Sequence, residues 1–166
     1  MRSWERLPFT QWADIQRTER FVTVEPRSGY RMVLPENDDY TIYLAPDSGD
    51  EALGRALLEG LDMSRFIGPD DDEPEFFEAE RYVKCARDWE TDVMRRYSYK
   101  TRRDFYKTMN WCRATRSEGK ISITPHKRDK PGLWTDLSPE QTVIIPETRN
   151  LVALGTALRL ALNRCE

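Results

Sequence analysis

The sequence predicts an α+β fold, a single domain over residues 1–166 with a mostly antiparallel sheet of about six strands and three to four helices. Three observations carry this. Short runs of aromatic and β-branched residues are bounded by Gly, Pro, Asn and Asp, which marks strands and tight turns. Apolar residues recur at helical spacing in separate, longer stretches, so strands and helices segregate more than they alternate. The chain is 39% hydrophobic with five Trp, seven Tyr and six Phe, enough to bury a real core.

Taken in order, Arg20-Phe21-Val22-Thr23-Val24 reads as a first strand, ending at a Pro26–Gly29 turn. Tyr30 to Leu34 is a second, and Tyr40-Thr41-Ile42-Tyr43-Leu44 a third, after a turn over residues 35–39. Asp47 or Ser48 is placed to cap a helix over Asp50–Met63, with Leu53, Ala56, Leu57 and Leu61 on one face. The stretch 68–75 is too polar to bury and reads as a loop. It leads to a helix over 76–97, where Tyr82, Ala86, Trp89, Val93 and Tyr97 form one stripe. Acidic residues at its start and Arg95 and Arg96 at its end suit the helix dipole.

A shorter basic helix is expected over 100–109. Residues 110–115 and 120–124 form a hairpin around Ser117-Glu118-Gly119. Residues 125–132 read as a polar loop, and the apolar run Thr142-Val143-Ile144-Ile145 as an interior strand. Arg149 or Asn150 opens a last helix to Arg164 that buries Leu151, Leu154, Leu158 and Leu162 or Ala161. No run approaches the about 18 apolar residues of a membrane span, and the first residues lack a signal-peptide core. Cys85, Cys112 and Cys165 have no metal-like spacing and read as the buried or idle thiols of a cytoplasmic protein.

Charge is strongly partitioned. Residues 36–80 hold 15 acidic and two basic residues, whereas residues 81–130 hold 15 basic and six acidic. The whole-chain charge of −3 conceals this split. Asp70-Asp71-Asp72-Glu73-Pro74-Glu75 is its acidic tip, and a field of that sign steers basic partners and repels nucleic acid. The helix dipole accounts for Glu73, Glu75, Glu78 and Glu80 better than for the three aspartates ahead of them.

Little in the sequence suggests chemistry. His126 is the sole histidine, flanked by Pro125 and Lys127, and reads as an exposed loop residue without a nucleophile. No glycine-rich phosphate loop is present. Four consecutive acids at 70–73 lack the alternation and glycine bend of a calcium loop. Pro69-Asp70 with Glu118-Gly119-Lys120 resembles a nuclease signature in which carboxylates hold a metal that activates water. Gly119 is, however, expected to make the hairpin turn, which would splay Glu118 and Lys120. A basic segment over 95–130 interleaves aromatics with cations as single-strand binders do, but equally suits an amphipathic helix with Phe105 and Met109 inward.

The C-terminal part carries a further pattern: Lys100 to Cys112, Glu118-Gly119-Lys120-Ile121-Ser122-Ile123-Thr124-Pro125, Trp134, Val143-Ile144-Ile145-Pro146, and Ala157 to Cys165. In order and spacing these resemble one family of contact-dependent growth inhibition immunity proteins, over residues 97–166. The resemblance implies a small bacterial cytoplasmic protein that binds and blocks the C-terminal toxin domain of its effector, often a nuclease and frequently one acting on tRNA. It implies no catalytic residues, cofactor or metal, and no membrane or direct nucleic-acid partner. Specificity then belongs to variable surface. The expected toxin-binding residues are Asp70, Asp71, Asp72, Glu73 and Glu75, with Asp38, Asp39 and Asp47, facing a basic surface on the toxin. The rival readings are a metal-dependent nuclease-like enzyme and a small nucleic-acid-binding module.

Overall fold

The strand at the centre of the sheet, β1 (Thr10–Arg17), lies where the sequence predicts no element. In the computed structural model, which describes residues 6–36 and 40–166, it pairs with β2 (Val22–Gly29) on one side and β5 (Asn110–Ser117) on the other. Beyond β2 come β3 (Val33–Pro35) and β4 (Ile42–Leu44), each covering one end of it. Beyond β5 comes β6 (Lys120–Lys130), whose two halves pair with β8 (Val143–Pro146) and β7 (Leu133–Asp136). Every pairing between these named strands is antiparallel. The helices are α1 (Asp50–Met63), α2 (Ala79–Arg96), α3 (Arg102–Tyr106) and α4 (Leu151–Arg164).

The two sheet faces differ in kind. Ala13, Ile15, Val22, Val24, Cys112, Ala114, Ile121 and Ile123 project to one side and form the main core with Leu53, Leu57, Leu61, Leu154, Leu158 and Leu162 of α1 and α4. Two glycines let these helices touch backbone to backbone. A Cβ on Gly54 would lie 1.8 Å from the Leu151 carbonyl oxygen, and one on Gly155 1.7 Å from that of Asp50. The opposite face carries Trp12, Asp14 and Gln16 with their cross-strand neighbours Glu25, Arg27, Trp111 and Arg113.

Helices α1 and α4 begin and end where their apolar spacing predicts. The Asn150 side chain caps α4 by accepting from the Ala153 N–H at 3.0 Å. Gly49 is the N-cap of α1, with no side-chain cap, so neither Asp47 nor Ser48 plays that part.

Other expectations are corrected. The expected turn at Pro26–Gly29 is strand, because Pro26 falls between the stretches paired by β3 and β4, where its missing N–H is not needed. The polar stretch 125–132 is not a loop: β6 runs on to Lys130 and forms a second hairpin with β7. The run Val143–Pro146 is an edge strand, not an interior one, and Ile144 is exposed. Segment 76–97 divides into a 3-10 turn, Pro74–Phe77, and α2. Tyr82 and Ala86 do not join the expected buried stripe; Cys85 and Val93 are the buried positions of α2. The C-terminal half of α2 packs on Phe21, Tyr99, Phe105 and Tyr106, and Phe76 just before it packs on Leu34 and Ile67. Anchored near both ends, α2 spans the polar sheet face instead of lying flat on a core.

Candidate functional site

That span leaves an open cleft of about 810 Å³ between α2 and the sheet. Its floor holds Asp14, Gln16, Glu25, Arg27, Trp111 and Arg113; one wall is Tyr82, Cys85, Trp89 and Glu90 of α2. Leu34, Pro35 and Phe77 close one end, and Arg102, Tyr106 and Trp134 border the other. The indole Nε1 atoms of Trp89 and Trp111 are buried with no hydrogen-bond acceptor among the described residues.

Asp14 is the hub of the floor and is 1% exposed. Its carboxylate accepts from Arg113 Nε at 2.7 Å and Nη2 at 3.1 Å, and lies 3.1 Å from Arg27 Nε. Burial alone would raise its pKa, but Arg27 and Arg113 hold it below the ordinary range. Glu25 stands opposite Asp14 in the register and fares differently. It is 5% exposed, and its nearest cation among the described residues is Arg27 Nη2 at 3.9 Å. Burial, only partly offset by Arg27, pushes its pKa up to about 7. Glu25 is thus a carboxylate facing the cleft with an incomplete set of partners. At the far end Glu90 accepts from Arg102 Nε and the Tyr106 hydroxyl, each at 2.6 Å.

The acidic loop adjoins the end of this cleft closed by Phe77. Its root is tied to β2: Gly29 N–H donates to the Arg65 carbonyl at 3.1 Å, and Ile67 N–H to the Gly29 carbonyl at 2.8 Å. Asp70, Asp71, Asp72 and Glu75 are exposed, and Glu73 is half-buried. Several have partners within the chain. Asp70 pairs with Arg6, Asp71 accepts from the Gly68 N–H at 2.5 Å, and Glu73 takes Arg65 Nη1 on both oxygens at 2.9 and 3.1 Å. Asp47 is exposed at the opposite end of α1, about 20 Å away by helix rise. Asp38 and Asp39 lie outside the described residues.

Glu118 and Gly119 form the two-residue turn between β5 and β6, both at positive φ (51° and 76°), as the glycine predicts. His126 is not an exposed loop residue. It is 7% exposed in β6, stacked on Trp111 at 3.9 Å, with Nε2 3.6 Å from Asp136. Burial lowers its pKa despite the Trp111 carbonyl and Asp136.

Read in the sequence alone, each floor residue looks ordinary, and none stands out as a candidate site residue. A signal existed: Trp12, Asp14 and Gln16 alternate with Ala13 and Ile15, the period of a strand. Which distant side chains would meet Asp14 was not readable.

Residues 11–165 match the model of the CDI immunity protein family, CdiI. The immunity protein CdiI-YPIII of Yersinia pseudotuberculosis serotype O:3 is 30% identical over 168 residues, covering 93% of this chain and 95% of that protein. A chain from the CdiA-CT/CdiI toxin and immunity complex of Yersinia pseudotuberculosis superposes with a TM-score of 0.89 at 27% identity, over 98% of this chain and all of that one. A protein of unknown function from Neisseria meningitidis gives 0.86 at 27% identity, over 99% of this chain and all of that one. Matched along nearly its whole length in both sequence and fold, this chain belongs to the family of CDI immunity proteins.

Proposed function

We propose that this chain works by binding, not by catalysis: in the cytoplasm it captures and neutralises the C-terminal toxin domain of its own contact-dependent growth inhibition effector. The observation that carries this, beyond family membership, is the junction of an exposed acidic loop with an open cleft whose floor holds Glu25, buried and short of cations. The toxin partner is a nuclease, tRNA being its leading substrate class. A nuclease that grips phosphates must present Lys and Arg around its site, and carboxylates can occupy that surface in competition with the substrate. The loop at 70–75 supplies the long-range attraction, and the cleft supplies shape and aromatic contact area.

The test uses the purified chain and the toxin domain encoded beside it. Asp70, Asp71 and Asp72 changed to Asn with Glu73→Gln should slow association and flatten its salt dependence, because attraction is screened over about 8 Å at physiological salt. Folding should change by less than about 1 kcal/mol, since Arg65 keeps Glu36 at 2.6 Å when Glu73 is neutralised. Wild-type on-rate at low salt would remove the loop from the interface, and absence of any toxin complex would remove the function itself. Incubation with tRNA or plasmid and Mg²⁺ should show no cleavage. Cleavage abolished by Glu118→Ala and Lys120→Ala would favour the nuclease-like alternative.

A further inference from the structure

On the apolar face of the sheet, away from the cleft, two thiols come together from distant parts of the chain. Cys112 of β5 is fully buried, and Cys165, the residue after α4, is half-buried. Their sulfurs are 3.5 Å apart. Cys165 Sγ also lies 3.4 Å from the Trp111 carbonyl oxygen and 3.7 Å from that of Ala161.

The position of Cys165 is held from both sides along the chain. Its N–H donates to the Leu162 carbonyl at 3.3 Å. The Glu166 N–H donates to the His126 carbonyl at 3.2 Å, and the Arg128 N–H to the Glu166 carbonyl at 2.7 Å. Arg17 clamps the same end of α4, donating from Nη2 to the Leu162 carbonyl at 3.1 Å and from Nη1 to Asn163 Oδ1 at 3.1 Å. A guanidinium is thereby fixed beside the sulfur pair. A buried cysteine by itself packs as a small hydrophobe. A half-buried thiol near a cation with a second thiol in contact has the surroundings of a reactive one. The Cys112 S–H hydrogen bond brings Cys165 down to about 7, while burial pushes Cys112 well up.

We propose that Cys112 and Cys165 are an oxidant-responsive dithiol, a modification site that hydrogen peroxide converts into a disulfide clasp between β5 and the end of α4. The Cys165 thiolate attacks one peroxide oxygen; the O–O bond breaks, and hydroxide leaves to become water. Cys165 is then a sulfenic acid. The Cys112 sulfur attacks the Cys165 sulfur, gives up its proton, and the S–O bond breaks to release a second water. Two thiols are oxidised by two electrons and one peroxide is reduced to two waters. The sulfurs must close from 3.5 Å to about 2.05 Å, the length of a disulfide bond.

The experiment treats the full-length chain with hydrogen peroxide and reads intact mass, a non-reducing peptide map and thermal unfolding. The expected product has lost two hydrogens, joins the Cys112 and Cys165 peptides, and melts several degrees higher until reductant restores it. Cys85→Ser should form the same Cys112–Cys165 cross-link on oxidation, because Cys85 sits in α2 at the cleft, on the other side of the sheet. Cys112→Ser should fail to cross-link and instead hold a sulfenic acid at Cys165 that dimedone traps. Oxygen addition without hydrogen loss in the wild type, linkage through Cys85, or only intermolecular dimers would each overturn the proposal.

Discussion

Replacing Gly155 by Ala sets helix propensity against packing, and the two predict opposite signs. In a helix interior Ala is favoured over Gly by about 1 kcal/mol, so propensity alone predicts stabilisation. The new Cβ, however, would lie 1.7 Å from the Asp50 carbonyl oxygen, and that neighbour is backbone, not a side chain able to swing away. Ordinary contact needs 3.4 Å or more, so α1 and α4 must separate by roughly 1.5 Å. A radial gap of 0.5–1 Å already forfeits about a quarter to a half of each dispersion contact. The contacts at risk join Leu53 and Leu57 to Leu154 and Leu158, all buried in the main core. Overpacking of this kind costs about 1–3 kcal/mol, occasionally more, and the upper part of that range applies because both partners are rigid. After the propensity gain, a net loss of about 2 kcal/mol remains. For a chain of this length that lowers Tm by about 4–8 °C, measurable by circular dichroism or calorimetry. Gly54→Ala should act alike, its Cβ falling 1.8 Å from the Leu151 carbonyl oxygen. An unchanged or raised Tm in Gly155→Ala would refute the close helix contact.

Two further predictions concern the cleft floor. Glu25 has a folded pKa of about 7 against an ordinary 4.5, so its ionisation opposes folding: its contribution is full below pH 4.5 and is lost as pH rises through 7. Glu25→Gln should therefore stabilise the chain at pH 8 by up to about 3 kcal/mol, change little at pH 4.5, and weaken toxin binding. Urea titrations at both pH values check it, and an identical pH slope in variant and wild type would refute it. Asp14→Asn leaves Arg113 and Arg27 facing a neutral amide in a buried site and should cost about 3–5 kcal/mol. Denaturant midpoints test this, and a loss under about 1 kcal/mol would mean the arginines find water or Glu25 instead.

What the sequence by itself determined are the features with local causes. Helix α1 follows from Leu53, Ala56, Leu57 and Leu61 at helical spacing, and α4 from Leu154, Leu158 and Leu162 behind the Asn150 cap. The β5–β6 turn follows from Gly119, whose positive φ few other residues accept. The family resemblance is legible over residues 97–166, where residue types recur in a set order. The tertiary structure decided the rest. Strand β1 carries Asp14, Gln16 and Arg17, which read as surface, yet it is the central strand, because Arg113 from about a hundred residues away and Arg27 neutralise Asp14. His126 likewise looked exposed beside Lys127 until Trp111 covered it. Helix α2 has an apolar stripe that periodicity assigns to a core, but its anchors at Phe76 and Val93 hold it across a polar face and open a cleft there. Periodicity records which side of an element is apolar. Which partner meets that side, and which charges cancel when buried, is set by contacts between residues that the chain brings together only on folding.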